Sequence, residues 1–363
     1  MSTNNRTGRK RDYVGVLSSV FAIVIGLLVG FVILLICNPS QALPGFVTIL
    51  TGAFTHGLKG VGQVFYYATP IGLSVGFAFK TGLFNIGTPG QFIVGAFAAV
   101  YVGIMWTGLG RIQWAVALLA AILGGALWGM VPGFLKACFN VNEVIASIMM
   151  NYIGMYMVNW IVKSYKPLFN NLRNESRNVA ATAQIPKMGM DKLFPESSVG
   201  GGILLAIAAV LIIWVILNKT TFGYELKAVG FNRDASRYAG INEKRNIIMS
   251  MVIAGAIAGM AGGLLYLAGT GKHIEIKDVL ASEGFTGISV ALLGLSHPIG
   301  VLFSGLFIAY LTAGGFYLQL FEFSTEIIDI IVAVIIYFSA FALIVKTILT
   351  RMNRKREKGD GRT

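Results

Sequence analysis

Charge-free apolar runs follow one another along almost the whole chain, interrupted by short clusters of polar and turn residues. A bilayer core of about 30 Å is crossed by a helix of about 20 apolar residues. Dividing the runs at their turn residues predicts about ten such helices, near Val14–Ile36, Gly60–Phe79, Gln91–Thr107, Trp114–Val131, Val144–Val162, Gly200–Asn218, Ile247–Gly269, Gly284–Leu295, Ile299–Phe316 and Ile327–Val345. The expected fold class is therefore an all-α integral membrane protein. The first run follows Arg9, Lys10 and Arg11, is too long for a signal-peptide core and lacks a small-residue cleavage site, so it reads as a retained signal anchor.

Residues 1–13 and 349–363 read as basic tails flanking a transmembrane domain over 14–348. With the first tail in the cytoplasm, an even number of spans returns the second to the same side. Basic residues then favour that side by about two to one, as the positive-inside rule requires. Two segments are too long for connectors. Residues 163–199, outside, hold Pro167, Pro186 and Pro195 with several Asn, a composition of turns and short helices on an aqueous surface. Residues 219–246, inside, carry a short helical signal in which Asn232 is the N-cap, Arg233 to Ala239 form about two turns and Gly240 supplies a left-handed stop.

Composition narrows the class. Of 363 residues, 55% are hydrophobic and 12% charged, whereas a soluble domain carries about twice that charge fraction. A soluble enzyme is excluded, and the apolar segments leave no room for a folded ATP-binding or catalytic module. The 45 glycines show no three-residue period and suit close helix packing, with Gly26/Gly30, Gly125/Gly129 and Gly255/Gly259 at GxxxG spacing. In so apolar a chain the net charge of +13 orients loops rather than binding nucleic acid. Cys37 and Cys138 lie at the edges of different spans; they are expected to be small core residues, with no disulfide or metal pair.

Catalytic signals fail. Gly269 to His273 lacks the earlier glycine and the Ser or Thr after the lysine of a phosphate loop. His56, His273 and His297 stand apart from one another and from acidic clusters, so no metal site is expected. Glu143, Glu283, Glu326 and Asp329 lie at or near span ends and read as helix-start carboxylates, with Lys136 a candidate partner for Glu143. Two segments interrupt the helical pattern: Gly82 to Gln91, and Glu283 to Ser289, which feeds a further break at Leu292 to Gly300. Broken helix at membrane depth needs protein or an aqueous cavity to satisfy its backbone. Paired breaks in the two halves of a chain often form a transporter's pathway; helix-packing glycines are the competing explanation.

The stretch Ala228 to Asn242, followed by a Gly-rich span, resembles the coupling loop of bacterial ABC importer permeases of the branched-chain amino acid, ribose and nucleoside type. Gly82, Leu83, Phe84, Asn85, Ile86 and Gly87 resemble that family's Gly-Leu-hydrophobic-Asn-hydrophobic-Gly element. Asn142 to Tyr152, and the loop holding Ala183, Gln184, Ile185 and Pro186, are similar to its nucleoside and simple-sugar branch. The resemblance covers nearly the whole chain. It implies about ten helices in a multi-pass protein of the bacterial plasma membrane, a second related permease subunit, cytoplasmic ATPase subunits that carry ATP and Mg, and an external substrate-binding lipoprotein.

The expected function is that of a permease subunit of an ATP-binding-cassette importer for nucleosides, not an enzyme, with no cofactor in this chain. The expected pathway residues are Phe84, Asn85, Thr88, Gln91, Asn142, Glu143, Phe285, Thr286 and Ser289. Phe84 or Phe285 would stack on a base, while Asn85, Thr88, Thr286 or Ser289 would hydrogen-bond to ribose or base edges. The expected ATPase-coupling residues are Asn232, Arg233, Asp234, Ala235, Ser236, Arg237, Tyr238, Ala239 and Gly240. The competing functions are a permease for a simple sugar such as ribose, an ion-coupled secondary transporter, which needs a buried carboxylate, and a membrane-embedded transferase or hydrolase, which needs clustered Asp, Glu or His.

Overall fold

The computed structural model describes residues 4–55, 58, 60–193, 199–269 and 271–324, with scattered positions between 326 and 338. In chain order the helices are α1 Asn4–Cys37, α2 Ala42–Thr55, α3 Val61–Lys80, α4 Thr88–Met105, α5 Gln113–Phe139, α6 Glu143–Ser164, α7 Met190–Leu193, α8 Gly202–Lys219, α9 Thr221–Phe231, α10 Arg233–Tyr238, α11 Glu243–Tyr266, α12 Ser282–Leu293 and α13 Pro298–Phe316. A two-residue antiparallel ribbon, β1 Phe169–Asn170 with β2 Glu175–Ser176, stands in the long loop after α6. Among the described residues, six helical stretches, built on α4, α5, α6, α8, α11 and α13, are long and apolar enough to cross a membrane.

The core is organised around α11, which packs against α3, α4 and α5. The GxxxG glycines explain how. Gly125 and Gly129 of α5 lie against Gly255 and Gly259 of α11, so closely that a Cβ on Gly125 would run into the Gly255 carbonyl. Without a hydrophobic driving force between helices in lipid, such close backbone approach supplies the packing. On one side of this core α3 carries α12 and α13; on the other α4 carries α6.

Three elements differ from the sequence expectation. The apolar helix α2 occupies a stretch expected to be a connector; its 14 residues rise about 21 Å, short of a bilayer core, and it packs on α1 and α13. The expected span Gly284–Leu295 is the 12-residue α12, about 18 Å long and unable to cross a bilayer core alone. Glu283 to Ser289 is accordingly its first turns, not a broken helix. The break at Leu292 to Gly300 is present, with Leu295 and Ser296 both at a φ of 53° before α13 begins at Pro298. The expected first tail is helical from Asn4 onward. Cys37 and Cys138 are free, and exposed at helix ends rather than in the core. Most of the expected span Ile327–Val345, all of the second tail, and His56 lie outside the described residues.

Two sets of hydrogen bonds join loops to one another. The Ser176 amide donates to Ile274 O (2.9 Å) and the Ile276 amide to Asn174 O (3.1 Å), tying the loop after α6 to the loop after α11, both expected outside. Arg233 Nε donates to Glu243 Oε2 (2.6 Å) and Arg233 Nη1 to Asn140 Oδ1 (3.4 Å), tying the two segments expected inside.

Candidate translocation site

The chain between α3 and α4, residues 82–87, is non-helical, and its freed polar groups are met by side chains. Asn85 and Gln91 exchange amide hydrogen bonds, Asn85 Nδ2 to Gln91 Oε1 at 2.9 Å and Gln91 Nε2 to Asn85 Oδ1 at 3.1 Å. Asn85 Oδ1 also accepts from the Gly87 amide (3.1 Å). Asn151 of α6 clamps the same segment from the side, accepting from the Gly90 amide and donating to Ile86 O, each at 2.9 Å. Thr88 Oγ1 donates to Gly284 O (2.9 Å), joining the start of α4 to the start of α12. The segment thus meets the requirement that irregular backbone at membrane depth be satisfied by protein.

Two groups of expected pathway residues separate here. Asn85, Thr88, Gln91 and Ser289 are buried, and the first three spend their polar atoms on protein partners. All four are enclosed by protein rather than facing a wet cavity; Asn85, braced by Gln91, meets the freed Gly87 amide of the break, and Thr88 ties the start of α4 to α12. Phe84 is half-buried and stacks on Phe79 with centroids 5.3 Å apart, while Phe285 is exposed on the outer face of α12. Thr286 Oγ1 back-bonds to Ser282 O within the helix (3.3 Å). Asn142 and Glu143 are not brought to the break. They start α6, about 12 Å along the helix from the Asn151 clamp; Asn142 caps the helix through the Val144 amide (2.9 Å), and Glu143 pairs with Lys136 (2.9 Å), the partner its position suggested. Glu283 pairs with Lys272 at 3.5 Å.

The expected surface helix is α10, capped as its sequence predicts by Asn232 Oδ1 accepting from the Ala235 amide (3.0 Å). Its two faces are distinct. Ser236 is buried and Arg233 is committed to Glu243, leaving Asp234, Ala235, Arg237 and Tyr238 on the exposed side, followed by Ala239 and Gly240. The preceding helix α9 was not anticipated; Thr220 caps it by accepting from the Gly223 amide (3.0 Å). Together they expose Phe231 and Tyr238, 90% and 94% open.

The break and this surface touch through backbone. Gly82, at a φ of 76°, lies so close to Gly230 at the end of α9 that a Cβ on Gly82 would stand 2.5 Å from Gly230 Cα. Beside them Thr81 Oγ1 bonds to Ser250 Oγ of α11. Sequence reasoning missed Asn151, Thr81 and Ser250; the usable signal was their polarity inside apolar runs, since such groups need a partner in lipid.

A multi-pass helical bundle with an interrupted membrane segment, linked by backbone to the exposed helix α10, has the architecture of a transport permease. Residues 57–340 match the family model described as branched-chain amino acid transport system / permease component. The chain belongs to this family. It is 38% identical over 340 residues to the guanosine ABC transporter permease protein NupP of Bacillus subtilis (strain 168), covering 93% of this chain and 96% of that protein. It is 34% identical over 357 residues to the nucleoside ABC transporter permease protein NupB of Lactococcus lactis subsp. cremoris (strain MG1363), covering 96% and 95%. The guanosine ABC transporter permease protein NupQ of the same Bacillus strain is 28% identical over 255 residues, 67% of this chain and 77% of that protein. No solved structure matches the chain.

Proposed function

We propose that this chain is the permease subunit of an ATP-binding-cassette importer for nucleosides in the bacterial plasma membrane, moving solute inward by alternating access. The observation that carries this reading is its likeness, along nearly the whole chain, to two permeases named for guanosine and for nucleosides. A second, related permease subunit completes the path, as the two distinct guanosine permeases of one Bacillus strain suggest.

Energy comes from separate ATPase subunits that hold ATP and Mg; this chain is a transport component without an ATP site of its own. The exposed aromatics Phe231 and Tyr238, with Arg237 beside them, offer an ATPase subunit an apolar anchor ringed by charge. Closure of the ATPases moves α9 and α10, and the Gly82–Gly230 contact carries that movement to the break. An external lipoprotein delivers solute to the opposite face.

The test is uptake of labelled guanosine by cells that lack this gene, with and without the wild-type chain supplied in trans. Restored uptake that excess adenosine or cytidine suppresses, and excess ribose does not, is the expected result. Uptake that is suppressed by ribose alone, or unaffected by loss of the gene, overturns the assignment.

A further inference from the structure

α6 differs from the other lipid-length helices in what its outer face displays. Its 22 residues rise about 33 Å, and Tyr152 and Tyr156 stand about 14 and 20 Å from its start, in the middle of the span. Both are open, 45% and 53% exposed. Neither hydroxyl has a hydrogen-bond partner among the described residues. By contrast the Tyr310 hydroxyl of α13, also at membrane depth, donates to Leu50 O.

The exposed faces of α5 and α8 carry Leu119, Leu123 and Leu127, and Leu211, Ile212 and Val215, all aliphatic and suited to lipid. Exposed Trp160 lies nearer the outer end of α6, where interfacial aromatics are normal. Tyr152 and Tyr156 are too deep for that account, because a phenol in hydrocarbon lacks a partner for its O–H.

Their neighbours mark a route. Asn151, just before Tyr152, clamps the non-helical segment through Gly90 and Ile86. Asn159, one turn beyond Tyr156, donates to Lys277 O in the outside loop (2.9 Å). Asn159 also lines a cavity of about 60 Å³ with Pro89, Met155, Lys272 and Glu283. Asn151 and Asn159, each held by a protein partner, therefore bracket the two tyrosines along α6 between the break and that cavity.

We propose that Tyr152 and Tyr156 border the aqueous path at bilayer mid-depth and contact the solute directly, each ring offering a stacking face and each hydroxyl a hydrogen bond to a nucleobase or ribose. One helical turn separates them, so a solute released by one is within reach of the other. The solute class rests on the nucleoside reading above; the aqueous setting of the two tyrosines does not.

The test uses the full transporter, with its ATPase, second permease and binding protein, in a Cys37→Ser/Cys138→Ser background. Single Tyr152→Cys, Tyr156→Cys, Leu123→Cys and Ile212→Cys variants are exposed to a charged, membrane-impermeant methanethiosulfonate, with and without saturating guanosine. The expected result is labelling at 152 and 156 that guanosine slows several-fold, with little at 123 and 212. Tyr152→Phe and Tyr156→Phe should raise the half-saturating guanosine concentration several-fold at unchanged membrane abundance. Absence of labelling at both tyrosine positions, in every nucleotide state, overturns the aqueous assignment. Labelling that guanosine does not slow, in a background that still imports guanosine, overturns the solute contact. A wild-type transporter that imports no guanosine refutes the nucleoside reading instead.

Discussion

Asn85 has both ends of its amide engaged, with Gln91 on one side and the Gly87 amide on the other. Replacing it with Leu strands the Gln91 amide and the Gly87 N–H in a buried setting, at about 1–3 kcal/mol for each unsatisfied group. Asn85→Leu should therefore lower the melting temperature of the purified permease, and the uptake that remains should fall equally for purine and pyrimidine nucleosides. Adding Gln91→Leu to that variant should cost little more, because removing both partners of a pair is cheaper than removing one. Thermal melts of the two single variants and the double variant check this; additive losses would show that the amides act separately. That Asn85 and Gln91 matter was legible in the sequence, as polar residues flanking a break in apolar chain. That they face one another was not, because their pairing depends on how residues 82–87 fold back.

At the scale of elements, α10 is the best test of coupling. Ala235 is exposed, so Ala235→Glu disturbs the permease's own packing by about 0.5 kcal/mol or less. It should leave the protein in the membrane while hydrolysis no longer drives uptake, measured as the ratio of nucleoside imported to phosphate released. Gly230→Ala should have a related effect from within, since its Cβ would stand 2.6 Å from Thr81 C and 2.7 Å from the Gly82 amide nitrogen. An unchanged transport-to-hydrolysis ratio in both variants would remove these contacts from the coupling route. The long apolar helices and the α10 cap could be read from the sequence because each depends on local chemistry, a run of apolar residues or an Asn before a helix. The helix α2 could not, since 14 residues are too few to signal a span, while α12 reads as a span in the sequence although its 12 residues cannot cross alone; the place of both is set by the neighbours they pack on.

For the whole molecule, the orientation rests on loop charge and on which loops meet. Leu172, 96% exposed beside the ribbon, and Tyr238 on α10 are better reporters than the buried Ser176 and Ser236. Cysteines placed at these two positions, with Cys37 and Cys138 removed, should react with an impermeant thiol reagent from opposite sides of sealed vesicles. Reaction of both from one side would contradict the orientation.

The central claim, that this permease imports nucleosides with energy from separate ATPases, is tested most directly in proteoliposomes holding the complete transporter, its binding protein outside and ATP inside. Guanosine should accumulate only with ATP and Mg, should stop when the ATPase catalytic glutamate is replaced by Gln, and should persist when ionophores collapse every ion gradient. Accumulation that needs an ion gradient and no ATP would contradict the account.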